Sequence, residues 1–322
     1  TLLHDFKITV DAYHQYRTNI LMYRYTIPIS MGLQATPAAN VGKASSDGID
    51  LALDYTRTFQ NSLWITGRGT FTYARSKVLV NEEPDYAINN KNLTHVGQSM
   101  AAMYGLVAEK LFVDQVEVDN SPAQFGNVLA GDIKYRDING DGKISTDDYV
   151  PMGYPSVPEI QYGGGFSIGY KNFDISAFFQ GTARVSFMID PIAISPFYAQ
   201  HGLLSVIAKD HWSEDNRNSY AFWPRLNINS DDVGSSPTYN NNYASSWWLR
   251  NGSFLRLKSA EIGYNLSGVF LKRTHLASAR IYINGTNLLT FSAFKLWDPE
   301  MGASGLGYPI QKVYNVGVLL GL

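Results

Sequence analysis

Long stretches of this 322-residue chain alternate apolar and polar residues with period two. That pattern belongs to extended backbone, whose successive side chains point to opposite faces of a sheet. Phe6, Ile8, Val10 and Ala12 alternate with Lys7, Thr9 and Asp11. Ile49, Leu51, Leu53 and Tyr55 alternate with Asp50, Ala52, Asp54 and Thr56. Leu63, Ile65, Phe71 and Tyr73 share one face, with Thr66, Arg68, Thr70 and Thr72 opposite. The same holds for Tyr162, Phe166, Ile168 and Tyr170, and for Phe173, Ile175, Ala177 and Phe179. Tyr314, Val316, Val318, Leu320 and Leu322 end the series, with Leu319 breaking an otherwise small or polar opposite face. Two segments are less regular. The apolar phase runs through Leu255 and Leu257, then resumes at Ala260, Ile262 and Tyr264, which predicts a β-bulge near Lys258 and Ser259. In the strand over 279–289, Tyr282 and Leu288 interrupt the polar face.

The connections fall into two classes. Short ones lie near 59–62, 171–173 and 267–278, and long ones near 25–46, 80–158, 186–251 and 290–309. The two classes alternate strictly, as they do where a membrane barrel has short turns on one side and long loops on the other. Parity then gives about eight membrane strands. The strand-like segment Gln98–Phe112 lies inside an outer excursion, alone or in a hairpin. No long helical periodicity competes.

Composition narrows the class. There are 21 Tyr, 16 Phe and 6 Trp, residues suited to surfaces apolar at one end and wet at the other. A membrane interface and a carbohydrate-binding surface both qualify. The chain has no cysteine, so a disulfide framework, a Cys-based zinc site and thiol catalysis are excluded. A net charge of −2 argues against nucleic acid as a partner. No apolar run reaches the ~18 residues of a membrane helix. The mean hydropathy of −0.16 still suits a barrel, because only alternate residues meet lipid.

Residues 137–148, Asp-Ile-Asn-Gly-Asp-Gly-Lys-Ile-Ser-Thr-Asp-Asp, match a calcium-loop pattern. Asp137, Asn139 and Asp141 would give side-chain oxygens and Lys143 its carbonyl. Ser145 would act directly or through water, and Asp148 would close a structural Ca2+ site. Aspartate stands at position twelve where glutamate is usual, and no flanking helices are evident; a metal-free, Asx-rich turn is the competing reading. Trp212, Trp223, Trp247 and Trp248 sit in the long connection 186–251, where they either stack on sugar rings or form the loop's own core. Lys7, Asp11, Asp50, Asp54, Arg68 and Arg280 fall on the presumed inner face as a solvated lining. The histidines His4, His14, His95, His201, His211 and His275 show no ligand spacing, and no motif supports an enzyme. Gly163-Gly164-Gly165 lies within a strand pattern and reads as a site of close packing.

Taken in order, these segments resemble the SusC/RagA-like family of TonB-dependent outer-membrane transporters. The blocks that carry the resemblance are Gly131 to Gly142, Met152 to Ser156, Tyr170 to Asp174, Phe178 to Gly181, Phe254 to Lys258, Gly285 to Thr290, Trp297 to Glu300, and Tyr308-Pro309. The resemblance implies an all-β chain, a segment of about eight antiparallel transmembrane strands from a plugged barrel of roughly 22 strands. Residues 1–322 would then be the C-terminal portion of the barrel, with plug and N-terminal strands outside this chain. It further implies a SusD-like surface lipoprotein, the TonB complex as energy source, glycan or peptide cargo, and the outer membrane of a Gram-negative bacterium. Leu322 stands where such barrels usually end in an aromatic. A soluble, calcium-dependent carbohydrate-binding β-domain is the alternative. It would bury one sheet face against a second layer, whereas a barrel turns its apolar face to lipid.

Overall fold

The computed structural model describes residues 5–196, 202–226, 240–266, 268–274 and 276–321. His4, His201, His275 and Leu322 lie outside them. Eight long strands form one sheet: β1 (Phe6–Tyr23), β2 (Ala38–Thr58), β3 (Leu63–Val80), β8 (Ile160–Tyr170), β9 (Phe173–Ala183), β12 (Phe254–Asn265), β13 (Ser278–Ser292) and β14 (Val313–Gly321). Each pairs antiparallel with the next in that order, an uninterrupted up-and-down meander. Short turns therefore share one end of the sheet, and the connections 24–37, 81–159, 184–253 and 293–312 share the other, as parity requires.

Register extends the alternation across the sheet. On one face Ile65, Ile168, Ile175, Ile262, Ile283 and Val316 form a single cross-strand row. The next row toward the short turns is Leu63, Tyr170, Phe173, Tyr264, Ile281 and Val318, with the Phe173 and Tyr264 rings 4.5 Å apart. On the other face Thr56, Thr66, Ser167, Ser176, Glu261, Asn284 and Asn315 line up. Aliphatic side chains on the first face are bare: Ile262 and Ile283 are 58 % exposed and Val316 75 %. Among the described residues no second sheet covers them. The inner charges share the polar face. Asp11 stands opposite Asp50, Arg68 bonds Asp54 at 2.7 Å, and Arg280 bonds Asp174 at 2.5 Å and Glu261 at 2.8 Å.

The expected bulge is present. Register slips between Leu257 and Ser259 against both neighbours, leaving Lys258 as the extra residue against β9, and its ammonium donates to Asn287 Oδ1 at 3.1 Å. Asn287 itself is left-handed, φ 54°, at the matching irregularity of β13. The glycine run serves close packing: the Phe178 ring lies across Gly163 and Gly165, where any Cβ would meet it. The first long connection is shorter than the sequence suggests, because β2 starts at Ala38 and residues 38–46 pair with β1. Most of those residues are small and they do not alternate, so ladder pairing rather than side-chain pattern places them.

The segment Gln98–Phe112 resolves into β4 (Met103–Gly105) and β5 (Ala108–Leu111), which pair with β7 (Val150–Met152) and β6 (Ile133–Tyr135). A third small sheet joins β10 (Ser186–Met188) to β11 (Leu249–Asn251). Helices are brief: α1 (Gln115–Asp119), α2 (Ser205–Lys209), and α3 (Gly268–Thr274) within the third short turn. No helix is long and apolar enough to cross a membrane among the described residues.

The two faces should respond oppositely to charge. Ile283→Arg in the parent protein should destabilise the assembled barrel by about 2–4 kcal/mol, the cost of arginine near a bilayer midplane. Ser176→Arg, on the polar face, should leave assembly intact. Heat-modifiable gel mobility across a urea titration reads both, and equal tolerance would refute the assignment of faces.

Candidate functional site

The buried core of this chain lies in its long loops. Leu106, Leu111, Ile133, Tyr135, Ile144, Ile189, Ile207, Trp223, Trp248 and Phe294 form one cluster above the outer strand ends. These loops pack as a cap. Its centre is the segment Gly131–Tyr135. Gly131 has φ 86° and the Trp212 indole rests where a side chain would project, so both backbone angle and space demand glycine. Asp132 is fully buried. It pairs with Arg225 at 2.8 Å and accepts from the Leu129 amide at 2.9 Å and the Asn241 side chain at 2.8 Å. Burial pushes its carboxyl above the ordinary range, against the pull of Arg225 and these donors. Asn240 and Asn241 stitch this strand to the tryptophans. Asn240 donates to the Ile133 carbonyl at 2.6 Å, Asn241 accepts from the Ile133 amide at 2.8 Å, and the Trp248 indole donates to the Asn241 carbonyl at 2.8 Å.

Three of the four singled-out tryptophans are core residues. Trp248 is fully buried, Trp212 and Trp223 nearly so, and the Trp223 and Trp248 rings lie 5.2 Å apart. Their rings pack on one another and on Gly131, as the loop's own core. Trp247 is half-buried, its indole donating to the Phe222 carbonyl at 3.2 Å.

The 137–148 loop is closed by its own amides. Asp137 accepts from Gly140 at 2.7 Å and Gly142 at 2.8 Å. Asn139 Oδ1 accepts from the Asp141 amide at 3.0 Å, and Asp141 accepts from Lys143 at 3.0 Å. Buried Asp148 accepts from Ile138, Asn139 and Ser145, the last within a capping box. Among the described residues no group of three or more His, Cys, Asp or Glu side chains is placed to hold a metal. The oxygen-only donor set has the right chemistry for Ca2+, and a carboxylate has about four lone-pair directions, of which Asp137 uses two here.

Two hubs lie inside the segments Gly131–Gly142 and Phe254–Lys258, where no sequence pattern marks them. One is Asp132. The other is Arg256, 1 % exposed, which bonds Asp298 at 2.6 and 2.7 Å and Glu300 at 2.8 Å. It ties the Trp297-Asp298-Pro299-Glu300 segment to the inner face of β12. Nothing in sequence marked Asn240 and Asn241.

A one-sided apolar sheet under a folded cap on its long-loop side defines a membrane β-barrel wall. Residues 2–288 match the family model described as TonB dependent receptor-like, beta-barrel. The chain belongs to that family. It is 30 % identical over 318 residues to TonB-dependent receptor P26 of Formosa agariphila, covering 95 % of this chain and 30 % of that protein. It is 22 % identical to TonB-dependent receptor SusC of Bacteroides thetaiotaomicron, over 97 % of this chain and 30 % of that one. Among solved structures, a chain of the RagAB peptide importer in its open-open state superposes with a TM-score of 0.67 at 21 % identity, over 99 % of this chain and 33 % of that one. The chain thus spans about a third of these relatives. They are receptors and transporters rather than enzymes.

Asp132 is the pin to pull. Asp132→Ala strands the Arg225 charge and should cost the cap about 3–5 kcal/mol, the usual penalty for halving a buried pair. Asp132→Asn keeps the shape and should cost less. Limited proteolysis should show new cleavage within 81–159 and 184–253 while the strands stay protected; unchanged cleavage would remove Asp132 from its role.

Proposed function

We propose that this chain is the C-terminal part of the barrel wall of an outer-membrane active transporter in a Gram-negative bacterium. It imports glycan or peptide fragments, with a SusD-like lipoprotein at its outer mouth and energy from the TonB complex. The plug and remaining strands belong to the rest of the protein. The observation that carries the reading is the pair of faces: a continuous aliphatic row exposed on one side, a continuous polar row on the other, and every long loop at one end. A wall of that kind suits lipid outside and a wet lumen inside. The full-length protein should fractionate with the outer membrane. Uptake of labelled oligosaccharides or peptides by cells relying on it should stop when the TonB complex is deleted. Undiminished uptake without that complex would reduce the protein to a passive pore.

The 137–148 loop is proposed to take Ca2+ as a structural ion, held by Asp137, Asn139, Asp141, Lys143, Ser145 and Asp148. Support comes from the spacing, the all-oxygen donor set, and Gly140 and Gly142 at φ 77° and 83°, which allow the tight wrap. Chelation of the intact transporter should raise protease sensitivity in this loop more than in the strands, and Asp141→Ala should mimic it. Calcium-independent protection would return the segment to an Asx-rich turn.

A further inference from the structure

Arg250 is an unusual cation. It lies in β11, just before β12, above the outer ends of the strands. Its guanidinium sits over the Phe222 ring, 5.9 Å from the centroid, and Nη1 donates to the carbonyls of Trp247 at 2.7 Å and Leu249 at 2.9 Å. No carboxylate among the described residues forms an ion pair with it. Most other arginines of the wall and cap are answered: Arg24 by Glu82, Arg225 by Asp132, Arg256 by Asp298 and Glu300, Arg280 by Asp174 and Glu261. Burial lowers the pKa of Arg250 from the ordinary arginine value. A part-buried cation without a counter-charge is costly, and chains keep such groups where a ligand supplies the missing charge.

The surroundings provide room for one. Arg250 lines a cavity of about 380 Å³ with Phe222 and Phe294 as aromatic walls, Val206 at the side, and Lys295 as a second cation. Asp210 also lines it and makes no ion pair with Arg250. Nη1 is committed to the two carbonyls, but the guanidinium fork carries five donors, so others can serve an anion. Apolar walls with a few convergent charged groups are the usual make-up of a small-ligand pocket.

We propose that this cavity binds an anionic group of the imported cargo, a carboxylate or sulfate carried on a sugar or peptide, with Arg250 as its main ligand and Lys295 as its second. The proposal rests on the transport reading above and specifies the class of cargo. Arg250 accepts the anion through its planar fork, and Phe222 and Phe294 cover the apolar part of the same residue.

The test uses the purified full-length transporter and calorimetry with four probes: a trigalacturonate, a triglutamate peptide, inorganic sulfate, and neutral maltotriose. At least one anionic probe should bind the parent protein about ten- to a hundred-fold more tightly than it binds Arg250→Met, the worth of one charge-assisted contact. Lys295→Gln should weaken it less, and maltotriose should not distinguish the proteins. Arg250→Lys, which keeps the charge, should recover part of the loss; a purely structural arginine would lower stability in both variants without changing the preference for anions. Gel mobility confirms assembly of each variant. Anionic probes that bind both proteins alike, or bind neither, overturn the site. TonB-dependent uptake that persists unchanged in Arg250→Met would overturn the site alone and leave the transport reading standing.

Discussion

Hydrocarbon offers no water to a backbone amide, and every other feature of the wall follows from that. Each N–H and C=O within the membrane must find its partner in the ladder. The eight long strands meet this need by each pairing with the next long strand along the chain. Side chains then bear no responsibility for a core in this region. They need only be apolar outward and polar inward, and one bulge at Lys258 costs little because the ladder resumes on either side. Among the described residues β1 and β14 are the two edges of the sheet, each paired on one side only.

Above the membrane the rules of soluble proteins return. The loops there reach water and can bury apolar side chains to gain by it, so the hydrophobic cluster is found in the cap. Its buried charges are placed where shape has to be unique. Asp132 with Arg225 and Arg256 with Asp298 join segments far apart in sequence. A buried pair adds little net stability over an apolar substitute, but a wrong partner leaves a charge stranded. Such pins select one arrangement of long loops among many.

This division explains what could be read in advance. The wall was legible because period two is a strong signal over ten residues, and one slip at Leu257–Ala260 placed a bulge. Loop parity placed every long connection at one end. The upper half of β2 was not legible, since Ala38 to Ser46 are mostly small and do not alternate, and pairing with β1 and β3 sets their place. The cap strands run three or four residues, too short for any period to show. The tryptophans stood out by type, yet type does not separate a ring that meets a sugar from one that fills a core. Trp248 lies against Trp223 and Phe222 only because residues 240–241 draw the chain there. Arg250 was invisible for a related reason: its distinction is that no carboxylate among the described residues pairs with it, which only packing reveals.

Wall and cap meet at ion pairs near the outer strand ends. Arg24, just past β1, bonds Glu82, just past β3, through two nitrogens, and this holds the Glu82 carboxyl below its ordinary range. Glu159, before β8, takes Arg184 at 2.9 Å and Arg75 of β3 at 3.7 Å. Arg256 takes the last loop. Arg75–Glu159 and Arg256–Asp298 link a strand to a long loop, while Arg24–Glu82 and Arg184–Glu159 join two long loops beside the strand ends, so the cap is fastened to the rim at several points. A charged contact at such a joint is directional and breaks over a short distance, unlike an apolar surface that can slide. The cap is therefore fixed by directional contacts at several points where it meets the wall, around one packed interior.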